Sequence, residues 1–379
     1  MNDENPSCQK NIFIEEDKIE SISVEKKVNA EIAIGFPSEV IAFPGLVNSH
    51  EHLALNTHPI HKNKQYSDYV EWSLDDFEAT IKEIESIPFE LRYAWGVLKN
   101  VLHGFTTIFQ HDIYLKNYQT PIADVVIDTM TIHSLRFDKK WKLKAMFPTR
   151  KKKIIHLGEG TSALAKTEPA RFLKFCIQPK NMLAVHAISL TKNDAAKFGG
   201  VIWCPNSNIH LYGETAQISE LKKVAPILFG TDSTVSSDWD LWQHVRQARK
   251  LKQLSDVELF ESMTKTPANL FGFSEKGTLE TGKMADIVIA RKQDKNAVNA
   301  FYKVTSKDIL LIVKTGKIIY YDESLQEQVM KFVDKQQFEA INIQNEVKYI
   351  CFGVKKLTAQ LKKYYPDFTY DSFFNIIDS

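Results

Sequence analysis

Short apolar runs separated by amphipathic segments fill the middle of the chain and predict alternating strands and helices. The runs are compact, as expected of buried strands, and lie at residues 106–111, 127–135, 154–157, 183–186, 201–204 and 227–232. Helix-start signals stand between them, such as the capping box Ser255-Asp-Val-Glu258. Regular β-then-α alternation predicts an α/β fold, and this many units favours a closed (β/α)8 TIM-like barrel. An open doubly wound sheet is the alternative, but no GxGxxG follows these strands.

Both flanks of the predicted barrel carry segments with strand character. Residues 11–25 alternate in places, and a similar texture returns at 285–290 and 309–320, where Thr315-Gly316-Lys317 indicates a hairpin turn. We therefore predict the barrel in residues 44–274, and a small β-sandwich domain built from residues 1–43 and 275–323. Residues 324–379 have a roughly helical pattern and are predicted to form a C-terminal helical appendage.

One part of the predicted barrel is too short. Residues 137–153 are dominated by charge, where a complete barrel needs another strand and two helices. We expect one shortened βα unit in this region. The lysine runs are interpreted as a solvated face rather than as a binding patch.

Composition narrows the class of protein. The chain has 379 residues, of which 44% are hydrophobic and 25% charged, enough for one large domain and a smaller one. A net charge of +1 provides no field for nucleic acid or an anionic membrane, and no apolar run is long enough to span a bilayer. The polar start is unlike a signal peptide, and the four cysteines form no CxxC pair. We expect a cytoplasmic protein with reduced thiols, which acts on a small molecule and can form a homo-oligomer.

Groups able to bind metal or carry protons stand at the predicted strand ends: His50, His52, His156, Glu159, His186 and Asp232. Residues two apart in an extended strand share one face, so His50 and His52 can hold one metal ion together. Each of the others alone has an ordinary explanation, such as a buried histidine or a helix N-cap. Six such groups on one face of a barrel favour a functional site.

Four motifs resemble those of the amidohydrolase superfamily: Pro44-Gly-Leu-Val-Asn-Ser-His-Glu-His52, Ile155-His-Leu-Gly-Glu-Gly160, Cys204-Pro-Asn-Ser-Asn208 and Gly230-Thr-Asp-Ser233. They are most similar to the branch of guanine, S-adenosylhomocysteine and hydroxytriazine deaminases and chlorohydrolases. Residues 277–288 resemble the segment that returns the chain to the small β domain in that family. The resemblance implies one divalent metal ion, with zinc favoured over iron, and hydrolysis of a C–N or similar bond.

The resemblance also assigns roles. It implies that the metal ligands are His50, His52, His156 and Asp232, and that the catalytic residues are Glu159, His186 and Asp232. Such a ligand set leaves a coordination position for water, whose pKa the metal lowers. Glu159 can then carry a proton to the leaving group, Asp232 can accept the proton of the water, and His186 can hydrogen-bond the developing oxyanion.

Some alternatives stay open. A binuclear centre with a carboxylated lysine would need Lys144 or one of residues 151–153 to face the barrel, but Glu159 favours the mononuclear form because it then has a role. Asn208 and His210 are candidate substrate contacts, and His111 can line the pocket or belong to the core.

The favoured function is hydrolytic deamination of an aminated heterocycle. One alternative is hydrolysis of a cyclic amide or of another leaving group. The other is a non-catalytic barrel that serves as a binding or assembly subunit.

Overall fold

The computed structural model describes residues 10–25, 32–111, 113–368 and 374–376. Cys8 and the polar start of the chain lie outside these ranges. Among the residues described, no helix is both long and apolar enough to cross a membrane.

The motif that contains His50 and His52 begins where the chain passes from one sheet to another. The strands β1 (Asn11–Glu15) and β2 (Lys18–Ser23) form the predicted antiparallel hairpin. The strand β3 (Val40–Pro44) belongs to a large antiparallel sheet, whereas β4 (Leu46–Glu51) belongs to the barrel. A Cβ atom at Gly45 would overlap the side chain of Thr106, which lies on the barrel strand beside β4, so the close approach of the chain to that strand requires glycine at Gly45.

The barrel strands are β4, β5 (Phe105–Gln110), β6 (Asp124–Val126), β7 (Met130–Ile132), β8 (Lys153–Leu157), β9 (Met182–His186), β10 (Gly200–Trp203) and β11 (Ile227–Phe229). They form a three-stranded sheet in the order β4-β5-β6 and a five-stranded sheet in the order β11-β10-β9-β8-β7. Every pairing within them is parallel. Beyond β11, the amides of Thr231 and Asp232 donate to the His50 carbonyl at 3.1 and 3.0 Å, which joins the end of β11 to β4.

The helices in chain order are α1 (Tyr69–Trp72), α2 (Glu78–Glu85), α3 (Phe89–Leu102), α4 (Trp141–Met146), α5 (Ala163–Leu173), α6 (Lys192–Ala195), α7 (Pro205–Tyr212), α8 (Ile218–Leu221), α9 (Leu241–Lys250), α10 (Asp256–Ser262), α11 (Lys265–Phe271), α12 (Ala297–Lys303), α13 (Gln326–Val329) and α14 (Val354–Tyr364). The capping box predicted at Ser255 and Glu258 is present at the start of α10. The helix α1 begins after Asp68, because the Asp68 side chain accepts the Val70 and Glu71 amides and caps it.

The shortened unit of the barrel is confirmed, and β6 and β7 show how it is built. Only residues 127–129 separate these strands, and β6 pairs with β5 while β7 pairs with β8. One interrupted run therefore passes between the two sheets, where a complete (β/α)8 barrel has two strands with a helix between them. The predicted strand at 127–135 is shorter than expected, and the charge-rich region that follows holds only the six-residue α4.

The small domain is built around a seven-stranded antiparallel sheet. Its strands are β3, β12 (Ile287–Arg291), β13 (Ile309–Lys314), β14 (Lys317–Asp322), β15 (Glu339–Ile343), β16 (Glu346–Ile350) and β17 (Phe374–Ile376). Thr315 and Gly316 both have positive φ, 50° and 75°, in the predicted hairpin turn between β13 and β14. One buried apolar cluster continues from the barrel into this sheet and into α14.

The prediction of a helical C-terminal appendage is wrong for much of its length. β15, β16 and β17 extend the sheet outward from β14, and the longest helix of this segment is α14. The strand signal is the period-two alternation on each side of Gln344 and Asn345, which turn with φ of 49° and 71°. That pattern fits a hairpin whose inward positions are covered by α14 and the neighbouring barrel helix α3.

Candidate active site

Three imidazoles meet at the carboxyl ends of β4 and β8. The Nε2 atom of His156 lies 3.1 Å from Nε2 of His50 and 3.4 Å from Nε2 of His52. Asp232, just after β11, places its Oδ1 3.8 Å from Nε2 of His52. The four residues predicted as ligands therefore converge, because parallel strands of a barrel end at the same rim.

The protonation states of these groups suit a divalent metal ion. His156 Nδ1 lies 2.6 Å from the His133 carbonyl, so Nδ1 carries the proton and Nε2 presents a lone pair. Burial, and then the neighbouring histidines, holds the pKa of both His50 and His156 well below its usual value. Burial alone would raise the pKa of Asp232, but His186, His52 and hydrogen bonds from Ser233 and Ser236 bring it below its ordinary value. Neutral imidazoles and an ionised carboxylate are the donor set that zinc prefers.

His186 lies between two carboxylates. Its Nε2 atom is 3.7 Å from Oε1 of Glu159 and 3.9 Å from Oδ2 of Asp232. A ring nitrogen of His186 also lies within 4.8 Å of ring nitrogens of His50 and His156. His186 has access both to the ligand cluster and to the two carboxylates.

Asn208 orients His186. Its Oδ1 atom lies 2.8 Å from Nδ1 of His186, and its Nδ2 atom donates to the His186 carbonyl at 3.3 Å and to Thr215 Oγ1 at 3.1 Å. Both ends of the amide are therefore engaged within the protein. His210, the other predicted substrate contact, instead lines a cavity of about 260 Å³ together with Ile60, Asn206, Ile209, Asp238 and Gln247.

His111 joins the imidazole cluster from β5. Its ring centroid is 4.3 Å from that of His156 and 5.0 Å from that of His50, and the side chain is buried. Its position at a strand end is the sequence signal that it belongs near the site.

A buried ion pair lies directly behind the histidines. Glu51, between His50 and His52 in the chain, has its Oε2 atom 3.0 Å from the Lys99 ammonium, and both side chains are fully buried. The same carboxylate accepts hydrogen bonds from the His52 amide at 3.0 Å and from Asn100 Nδ2 at 3.0 Å. Sequence reasoning missed Lys99, because a lysine in an apolar helix forms no recognisable motif.

Three of the four lysines considered for a binuclear centre are engaged elsewhere. Lys144 donates to the Thr131 carbonyl at 2.9 Å and to Asp138 at 2.7 Å. Lys153 donates to the carbonyls of Lys144 and Phe147, and Lys151 pairs with Asp128. None of these three ammonium groups is directed to the histidines.

Comparison of sequences supports the family resemblance. The sequence model described as "Amidohydrolase family" matches residues 150–319. A 5-methylthioadenosine/S-adenosylhomocysteine deaminase from Dictyoglomus turgidum is 22% identical over 414 aligned positions, which cover 88% of this chain and 95% of that protein. A protein with the same name from Halothermothrix orenii is 27% identical over 166 residues. That alignment spans 38% of the Halothermothrix protein, and the one with the Pelotomaculum thermopropionicum protein spans 47%, so the chain spans less than half of these two relatives.

Comparison of structures points to the same fold. A triazine hydrolase variant matches with a TM-score of 0.70 at 14% identity, over 94% of this chain and 95% of that one. A zinc-bound adenosine deaminase from Xanthomonas campestris matches with a TM-score of 0.65 at 16% identity, over 86% and 85%. The family-model match over residues 150–319, the relatives named as deaminases and the shared fold make this chain similar to the amidohydrolases.

Proposed function

We propose that this protein is a metal-dependent hydrolase that uses one divalent ion, zinc in preference to iron, to remove an amino group from a heterocycle as ammonia. The observation that carries the proposal is the position of His186 Nε2, 3.7 Å from Glu159 and 3.9 Å from Asp232, beside the imidazole cluster. A binding or assembly subunit has no use for a proton-transfer set next to a ligand set. The relatives named as deaminases support the choice of leaving group.

Each residue has a role that its surroundings allow. The proposed ligands are His50, His52, His156 and Asp232, and a bound ion would lower the pKa of a water molecule toward neutrality. Asp232 accepts one proton of the attacking water, and Glu159 gives its proton to the ring nitrogen. The ionised Glu159 then carries the remaining hydroxyl proton to the amine, which leaves as ammonia as the carbonyl forms, and the proton held by Asp232 restores the acid form of Glu159. Asn208 holds Nδ1 of His186, so that Nε2 faces the space between the two carboxylates and, when it carries a proton, can hydrogen-bond the negative charge that develops there.

Metal content tests the ligand set. Protein purified without chelator should contain about one equivalent of zinc or iron by elemental analysis. His50→Ala should lower metal content and activity together, because it removes one of four ligands. A metal-free native protein, or a constant two equivalents, would contradict the mononuclear proposal, and activity that persists in metal-depleted His50→Ala would place the site elsewhere.

Ammonia release tests the reaction. The panel should hold adenine nucleosides, including 5-methylthioadenosine and S-adenosylhomocysteine, together with guanine and aminated triazines. We expect metal-dependent release of ammonia from at least one class. Fully metal-loaded protein that releases no ammonia across the panel would exclude deamination of these heterocycles.

A further inference from the structure

Tyr212, the last residue of α7, contacts the proposed acid/base. Its Oη atom donates a hydrogen bond to Oε1 of Glu159 at 2.6 Å, and the tyrosine side chain is buried. Burial, and then the nearby Glu159 carboxylate, raises the pKa of Tyr212 well above its usual value. The phenol therefore stays protonated and acts as a hydrogen-bond donor.

The hydrogen bond decides which carboxylate oxygen stays available. Among the residues that the structure describes, Tyr212 donates the one side-chain hydrogen bond to the Glu159 carboxylate, and this bond occupies Oε1. The same oxygen lies 3.7 Å from His186 Nε2. Holding Oε1 in this way sets the rotation of the carboxylate and leaves Oε2 to exchange a proton.

Packing explains the ring of Tyr212 but not its hydroxyl. Tyr212 forms a small buried cluster with Tyr66 and Leu211, against which Trp72 and Ile188 pack. A phenylalanine would fill the same space without burying a polar group, which costs free energy unless it is hydrogen-bonded. The hydroxyl meets that requirement through Glu159 itself.

We infer that Tyr212 is a positioning residue, which holds the Glu159 carboxylate in the orientation needed for proton transfer. The inference rests on the proposed function of Glu159. Tyr212 acts through Glu159, so its loss should affect the proton-transfer step and leave metal binding unchanged.

The experiment compares Tyr212→Phe with Tyr66→Phe, because both tyrosines belong to the same apolar cluster. The Tyr66 hydroxyl donates to Asp75 at 3.0 Å rather than to the acid/base. We expect Tyr212→Phe to keep its metal and to lose about ten- to a hundredfold in kcat with little change in KM, as for a lost hydrogen bond to a charged group. Tyr66→Phe should keep kcat within about twofold, since the hydroxyl that it removes contacts Asp75 and not Glu159.

A double-mutant cycle separates positioning from general damage. If Tyr212 acts through Glu159, adding Tyr212→Phe to Glu159→Gln should lower kcat by no more than about twofold further. Equal losses in both backgrounds, or a Tyr212→Phe variant with native kcat, would overturn the inference.

A crystal structure of zinc-loaded Tyr212→Phe gives a readout that needs no substrate. We expect the Glu159 carboxylate to rotate away from its place beside His186, and an unmoved carboxylate would overturn the inference. Native protein that hydrolyses no heterocycle would instead contradict the proposed function, and this crystal structure would still decide the positioning role.

Discussion

Several residues at the candidate site have positive φ angles, which residues other than glycine rarely adopt. His186, Ala187 and Asp232 have φ of 62°, 53° and 60°. Asp232 is held there by its own contacts, since its amide donates to His50 and its carboxylate accepts from Ser233 and Ser236. Such strain persists only where surrounding bonds determine it, and it concentrates at functional sites.

Glu159 provides a test of chemistry separate from metal binding. Glu159→Gln keeps the shape of the side chain and its hydrogen bond with Tyr212, but cannot exchange a proton at neutral pH. We expect the variant to fold, hold its metal and bind substrate, while kcat falls about 10²- to 10⁴-fold. Steady-state kinetics and elemental analysis measure the two effects. Loss of metal would make Glu159 a ligand, and near-native turnover would move the general acid to His186 or Asp232.

His244 predicts part of the response of stability to acid. The ring is fully buried on α9, with Nε2 2.8 Å from the Asp238 carbonyl. Burial lowers its pKa to about 3. Histidine in the unfolded chain has a pKa of about 6.5, so between that pH and the folded value the unfolded chain binds one proton more than the folded chain. The free energy of unfolding therefore falls as pH drops through that window.

The matched variant for this effect is His244→Gln, which can still donate to Asp238 but does not titrate. Between pH 7 and pH 5 the native protein should lose about 2 kcal/mol more free energy of unfolding than the variant. Urea denaturation of both metal-free proteins at the two pH values measures the difference. Equal losses would show that His244 is not held neutral in the folded state.

At the scale of elements, Glu51 and Lys99 connect β4, which carries His50, to the helix behind it. Glu51 ends β4 and Lys99 lies near the end of α3, and Lys99 also donates to Asn56 at 2.6 Å in the segment after β4. The Thr231 hydroxyl donates to Glu51 at 3.2 Å, so the segment that carries Asp232 is also tied to this ion pair. The position of the histidines thus depends on a charge pair that water does not reach.

Removing one partner of that pair should be costly. Lys99→Met leaves the Glu51 carboxylate buried without its cation, and we expect a loss of about 3–5 kcal/mol in the free energy of unfolding. Adding Glu51→Gln should recover part of it, because no lone buried charge remains. Lys82→Met, at an exposed position of α2, is the control and should stay within about 0.5 kcal/mol of the native protein. Urea midpoints at constant m-value give the comparison, and a small loss in Lys99→Met would show that water reaches the pair.

At the scale of the whole molecule, the C-terminal segment supports the barrel on the side of the candidate site. The ring of Phe368 lies 4.7 Å from that of Trp95 on α3, and Trp95 donates to the Asn56 carbonyl at 3.0 Å. Tyr365 stacks on His58 with ring centroids 4.5 Å apart. Tyr365 and Phe368 therefore pack against the segment that directly follows His50 and His52.

Truncating this contact should destabilise the whole fold. Phe368 is 3% exposed, so Phe368→Ala leaves a cavity against Trp95 and should cost about 3–5 kcal/mol. Tyr364→Ala, at a ring that is 50% exposed, should cost far less and serves as the control. Equal effects of the two variants in urea denaturation would mean that the C-terminal segment contributes no core to the barrel.

Much of the fold and of the proposed site could be predicted because the sequence signals for them are local. The capping box at Ser255, the turn at Thr315 and Gly316, and the strands that end in His50, His156 and His186 are each set by a few neighbouring residues. The carboxyl ends of the strands in a parallel barrel lie at one rim, so the predicted barrel by itself implies that the histidines and Asp232 lie close together.

Tertiary structure alone decided what depends on partners far apart in the chain. Tyr212 and Glu159 are 53 residues apart, and Asn100 and Glu51 are 49 apart, so neither pair leaves a pattern in a short window. β6 adds to the edge of one barrel sheet and β7 to the edge of the other, and β15 to β17 extend the antiparallel sheet beyond β14. These pairings depend on which neighbouring strand offers a free edge. Strand pairing and the burial of a charge become favourable only when distant segments meet, which is why local patterns do not predict them.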